Sequence, residues 1–267
     1  MPTVNVNNHD MYYEIIGEGD PAICMGGWGT YCHGNEGNLA KGLTDKFQTL
    51  LIDYRGVGDS TDDLSQPATM KMHAQDVMEL LDHLGWTNVH FIGLVGMGAC
   101  VAQEVAIQRP ELVRSMVNMG CWAAVDDMLK DQLELFRDVH RDMGFEAFQK
   151  LVCCYSFRND FYNKNRSRLL APSGPWSELV GRQTTHARLV DACISHDVRD
   201  QLDQITAPTL LVHSGMDVIT TPKYTREIES LIPTATGVDM PEVAHVVAGK
   251  EQKIAFCDIL FSFLDKH

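Results

Sequence analysis

Apolar and polar positions run along the 267-residue chain in two rhythms. "TVNVN" and "DMYYEIIG" alternate with period two around Asn7-Asn8-His9, which predicts an antiparallel hairpin at the start. Mainly apolar runs without that alternation follow: "AICMGG" (22–27), "FQTLLID" (47–53), residues 89–95, "VRSMVNMG" (113–120) and "PTLLVHSGMD" (208–217). Between them the period changes to that of a helix. In 70–85, Met72, Val77, Leu80, Leu81 and Leu84 share a face and Gly85 suits a C-terminal cap. Further helices are predicted from Met97 to Gln108, near 222–231 and over 249–265, with a short strand in "TGVDMP". Strands apolar on both faces, alternating with helices, imply a mostly parallel sheet covered on both sides, with the N-terminal strands antiparallel.

This rhythm stops at Cys121 and resumes at Pro208. In between, "DDMLKDQLELFRDVHRDMG" and "FEAFQKLVCCYSF" are helical, and a looser stretch contains "APSGPW". Residues 122–200 are therefore expected to form a helical cap inserted into a core made of 1–121 and 201–267. Asp126-Asp127 should begin a helix, and Glu134 should lie on its solvated face. Phe136, Phe145, Phe148, Phe157, Phe161 and Trp176 are assigned mostly to the interior of the cap, with one or two facing a substrate pocket.

Composition narrows the function by exclusion. The net charge is −14, from 22 basic and 36 acidic residues, which disfavours nucleic-acid and anionic-membrane partners. Eight scattered cysteines, among them Cys24, Cys32, Cys100 and Cys257, show no zinc-like spacing and suit reduced, buried thiols in a cytoplasmic protein. "MPTVNVNNHDMYYE" is too polar for a signal peptide, and no apolar run approaches membrane-spanning length. His33, His73, His186, His196 and His213 lack metal-ligand spacing, so no metal and no cofactor are expected. The oligomeric state is left open, homo-oligomers included.

The chemistry centres on "HFIGLVGMGACVAQE", residues 90–104. A strand breaks at Gly96-Met97-Gly98 and resumes as a helix. Together with "MGGWG", "DYRGVGDS", "GACVAQEVAIQRPELVRSMVNMG", "APTLLVHSGMDVITTP" and "PEVAHVV", in that order, it resembles the α/β-hydrolase family over nearly the whole chain. The resemblance implies an α/β-hydrolase fold with a cap domain. It implies a nucleophile elbow at Leu94-Val95-Gly96-Met97-Gly98, with Gly96 where the family carries its serine. A register shifted by one puts Val95 there, and neither residue is a nucleophile. The resemblance further implies a triad acid at Asp217, a triad histidine at His245, and oxyanion-hole amides at Trp28 and Met97. Cys100, one turn into the helix, should face the sheet and take no part.

Glycine suits the strained backbone of such an elbow, so the turn survives without its serine. The reading that follows is an enzyme acting on a small carbonyl compound, an ester, lactone or carbamate. His245, oriented by Asp217, would activate water. Relatives with a replaced nucleophile, the aminoacrylate-type hydrolases of pyrimidine breakdown, show a similar gap. The alternatives are a lyase or decarboxylase using the same pair, a non-catalytic binding protein like the N-myc-downstream-regulated proteins, and a serine hydrolase whose serine was changed to glycine by design.

Overall fold

The computed structural model describes residues 3–28 and 39–267; Cys32 and His33 lie outside the described residues. Eight strands form one sheet in the order β1-β2-β4-β3-β5-β6-β7-β8. β1 (Thr3–Val6) and β2 (His9–Ile16) make the opening hairpin, turned by Asn7 and Asn8 at φ 43° and 62°. Two consecutive left-handed residues match the twist of a two-residue hairpin, and asparagine tolerates them. β2 pairs antiparallel with β4 (Phe47–Ile52). From there to β8 (Ala235–Met240) every pairing is parallel, through β3 (Asp20–Met25), β5 (Val89–Gly93), β6 (Val113–Met119) and β7 (Thr209–Ser214).

Both faces of β3, β4, β5, β6 and β7 are largely covered, which is why they show no regular polar alternation. One apolar cluster joins the sheet to α2 (Met70–Leu84), α3 (Met97–Gln108) and α8 (Pro222–Leu231). The other joins it to α1 (Leu43–Lys46) and α9 (Lys250–Leu264). Periodicity anticipates α2, α3, α8 and α9 to within a residue or so. α1 has only four residues, too few for a helical period to register.

One strand ends earlier than its hydrophobic run. The run reaches Val95, but β5 stops at Gly93. The Leu94 amide still bonds the Met25 carbonyl at 2.8 Å. Val95 then turns to φ 59° and leaves the sheet.

Between β6 and β7 the chain forms α4 (Asp127–Met143), α5 (Phe145–Ser156), α6 (Asn159–Leu169) and α7 (Gln183–Ile194). Asp126 caps α4 by accepting the Leu129 amide at 3.0 Å, as a helix-start aspartate does. Neither α6 nor α7 stands out in the sequence, because polar residues dilute their period. None of the eight strands comes from 122–200. One isolated antiparallel bridge, Ala124 to Asp197, brings the two ends of the insertion together. Arg182 donates to the Gly56 carbonyl at 2.6 Å and to that of Gly58 at 3.0 Å, fastening α7 to the "DYRGVGDS" loop. Arg188 pairs with Asp62 at 2.7 Å.

Candidate active site

Five loops leave the carboxyl ends of parallel strands on one edge of the sheet, where an α/β sheet presents its ligand-facing groups. Trp28 follows β3, Gly96 follows β5, Trp122 follows β6, Asp217 follows β7 and His245 follows β8. Asp217 is 3% exposed and His245 7%.

Asp217 opens a turn that closes on itself. Its Oδ1 accepts the amides of Ile219 at 2.8 Å and Thr220 at 3.0 Å. Its Oδ2 accepts the Thr220 hydroxyl at 2.8 Å and His245 Nδ1 at 2.9 Å. Four donors on one carboxylate leave it a single orientation, with the imidazole on the open side. With Nδ1 as donor, Nε2 is the ring's acceptor, which suits a general base. Thr220 is not apparent from the triad pattern. The run "DVIT" contains the signal, since an aspartate whose side chain bonds amides two and three residues on is a recurrent turn.

Gly96 is the N-terminal cap of α3, at φ 85° and ψ −100°, as the elbow requires. The preceding residue was not expected to share that burden. Val95 has φ 59°, and a β-branched residue there is a true outlier costing on the order of 1–3 kcal/mol. The tip therefore uses two left-handed residues, and the side chain it presents is that of valine. Glycines on either side permit the turn. A Cβ on Gly93 would lie 2.4 Å from Ala99 Cα, and one on Gly98 would lie 2.3 Å from the Met25 carbonyl oxygen. A Cβ on Gly96 would have Trp122 Cζ3 at 3.2 Å and the Gly120 carbonyl oxygen at 3.4 Å.

Trp28, Val95, Gly96, Met97 and His245 all line one cavity, an empty space of about 430 Å³ including its mouth. The backbone amides of Trp28 and Met97 hydrogen-bond to no described residue. Met97 is the first residue of its helix, where an amide has no partner within the helix. The insertion supplies the opposite wall, with Trp122, Phe136 and Trp176 as its aromatic members. Phe145, Phe148, Phe157 and Phe161 pack away from the cavity, against their own helices and neighbours. Trp28 ties the two sides together. Its indole donates to Cys193 Sγ at 3.4 Å and meets His186 edge-on at 4.9 Å.

Among the described residues no thiol is a disguised nucleophile. Cys193 lines the cavity, but burial pushes its thiol up to about 12, so the thiolate is not populated near neutrality. Cys100 is buried against the Trp122 carbonyl, off the cavity, and burial raises its thiol too. The described members of the scattered histidine set stay apart. His73 neighbours Asp76, His186 bonds His140, His196 bonds Gln103, and His213 bonds Thr225 and Glu229. Among the described residues no three metal-ligating side chains cluster, and no helix is long and apolar enough to cross a membrane.

Comparison with known proteins agrees with this fold. A family model described as the alpha/beta hydrolase fold matches residues 21–251. A protein of Azorhizobium caulinodans, whose given name is that of a carbamate hydrolase, RutD, is 26% identical over 267 residues, or 96% of this chain and 98% of its own. A protein of the same name from Stutzerimonas stutzeri is 26% identical over 200 residues, 72% of each chain. The enol-lactonase of Burkholderia xenovorans LB400 superposes with a TM-score of 0.86 at 22% identity, over 99% of this chain and 100% of that one. MGS-M2, an α/β hydrolase enzyme from a deep-sea metagenome of the Medee basin, gives 0.88 at 22% identity, over 99% and 97%.

Proposed function

This chain belongs to the α/β-hydrolase fold family, and from that premise we propose that it hydrolyses a small carbonyl compound, an ester, lactone or carbamate, without a covalent serine intermediate. The observation that carries the reading is the Asp217–His245 contact of 2.9 Å on the wall of a cavity that Gly96 also lines. Side chains turned apart would have favoured a ligand-binding protein. The relatives named for carbamate hydrolysis and the enol-lactonase neighbour support carbonyl hydrolysis as the class.

His245 Nε2 takes a proton from water as the water oxygen bonds to the carbonyl carbon. Negative charge moves to the carbonyl oxygen, where the Trp28 and Met97 amides receive it. When the tetrahedral carbon collapses, its bond to the leaving oxygen or nitrogen breaks. The imidazolium returns its proton to that atom. Asp217 holds the ring in the required tautomer and stabilises the cation that forms between the two proton transfers. Residues 122–200 act as a cap that keeps bulk water from the tetrahedral stage.

The test is a turnover screen of the protein and its His245→Ala variant against phenyl acetate, γ-butyrolactone and ethyl carbamate. Hydrolysis of at least one, lost in the variant, is the expected result. Equal rates in both proteins would overturn the reading.

A further inference from the structure

We propose that Ser156 is a specificity-determining residue of this cavity, and that the substrate is an uncharged carbonyl compound with a second hydrogen-bonding group, a hydroxyl, keto or amide oxygen, for Ser156 to hold. The inference rests on reading the cavity as the substrate site.

Ser156 is the last residue of α5 and is wholly buried, yet among the described residues its hydroxyl has no hydrogen-bond partner. A helical serine can return its hydroxyl to the carbonyl one turn back. This one does not, and it lines the cavity. Leaving a buried hydroxyl unsatisfied is destabilising, so a fold under no other demand would place alanine here. Its position relative to His245 is fixed by the backbone. The Ser156 carbonyl accepts the Val246 amide at 3.0 Å, so the serine from the insertion is pinned beside the histidine loop.

The rest of the wall defines the ligand's other properties. Trp28, Trp122, Phe136 and Trp176 give it an aromatic character, and no aspartate, glutamate, lysine or arginine lines it among the described residues. A carboxylate or ammonium entering would lose its hydration with no countercharge, which disfavours charged compounds strongly. A neutral compound loses little, and Ser156, the one unengaged side-chain hydroxyl on the wall among the described residues, discriminates among neutral compounds. The Thr220 hydroxyl, the other candidate, is committed to Asp217.

Three of the four tryptophans line the cavity, so intrinsic fluorescence reports its occupancy without any need for turnover. The experiment titrates the full chain with cyclohexanone, 2-hydroxycyclohexanone and cyclohexanecarboxylate. 2-Hydroxycyclohexanone should bind about tenfold more tightly than cyclohexanone, as one satisfied hydrogen bond predicts, and the carboxylate should bind most weakly. Ser156→Ala should bring the two ketones to within about twofold while its melting temperature stays the same or rises, since no bond inside the protein is lost. Equal affinities for the two ketones in the native protein, a preference that persists in Ser156→Ala, tighter binding of the carboxylate, or a lower melting temperature in the variant would each overturn the proposal. Because these probes are not hydrolysed, the result is independent of the turnover screen: discrimination without turnover overturns the hydrolase reading alone, and turnover without discrimination overturns this one alone.

Discussion

The Thr220 hydroxyl and His245 Nδ1 lie 3.2 Å apart and converge on the same oxygen of Asp217. The threonine thus acts on the histidine from beside it. It fixes the carboxylate and limits how far the ring can swing. Thr220→Val, which keeps the shape and removes the donor, should lower kcat about tenfold with little change in KM. Steady-state kinetics on whichever ester or lactone the protein turns over would check this. A change confined to KM would show that Thr220 contacts substrate instead.

His245→Ala should lower kcat/KM by about 10²–10⁴, the usual contribution of a general base. Asp217→Asn should cost a comparable factor, because an amide can donate to Nδ1 and so favour the wrong tautomer. If Asp217→Asn were as active as the native protein, Asp217 would be a turn-forming residue and nothing more.

Gly96→Ser places a hydroxyl at the elbow but strains it. The new Cβ would meet Trp122 at 3.2 Å, at a φ of +85° that side chains rarely adopt. Denaturant unfolding should show a loss of about 1–3 kcal/mol. The folded fraction should release a burst of nitrophenol from p-nitrophenyl acetate and carry an acetyl group detectable by mass spectrometry. Absence of both signals in folded protein would mean that the hydroxyl does not reach His245.

Several histidines are buried as neutral rings, which ties stability to pH. Burial pushes His73 and His186 down to about 3 and His90 to about 4. In the unfolded chain each takes up a proton below about 6.5. The unfolded state therefore binds more protons than the native one between roughly pH 6.5 and 4, and stability falls as pH drops through that window. Each ring contributes at most about 1.4 kcal/mol per pH unit. The urea midpoint should fall between pH 7 and pH 5, and His73→Phe should fall less steeply than the native protein. Parallel slopes would exclude His73 as a contributor.

Much of this was legible in the sequence because it depends on period and order. The parallel strands appear as short apolar runs, and the strand–loop order places Gly96, Asp217 and His245 on one edge of the sheet. What was not legible depends on groups brought together from afar. Ser156 looks like an ordinary helical serine until its carbonyl is seen to accept the Val246 amide. Val95 looks like the end of a strand, because its strain comes from the turn after it and not from its own preference for extended backbone. Thr220 is one of two adjacent threonines, and only the turn around Asp217 singles it out.

The bridge between Ala124 and Asp197 means that the chain leaves the scaffold and returns to it at the same doorstep. β6 and β7 are adjacent strands whether the detour between them is long or short. An exchange of 125–196 for another detour with matching ends would thus change what the wall over the cavity selects while Asp217, Thr220 and His245 kept their own turn and strand ends. On the proposed reading, selectivity would travel with the insertion and reactivity with the sheet, and one could be exchanged as a cassette without rewriting the other.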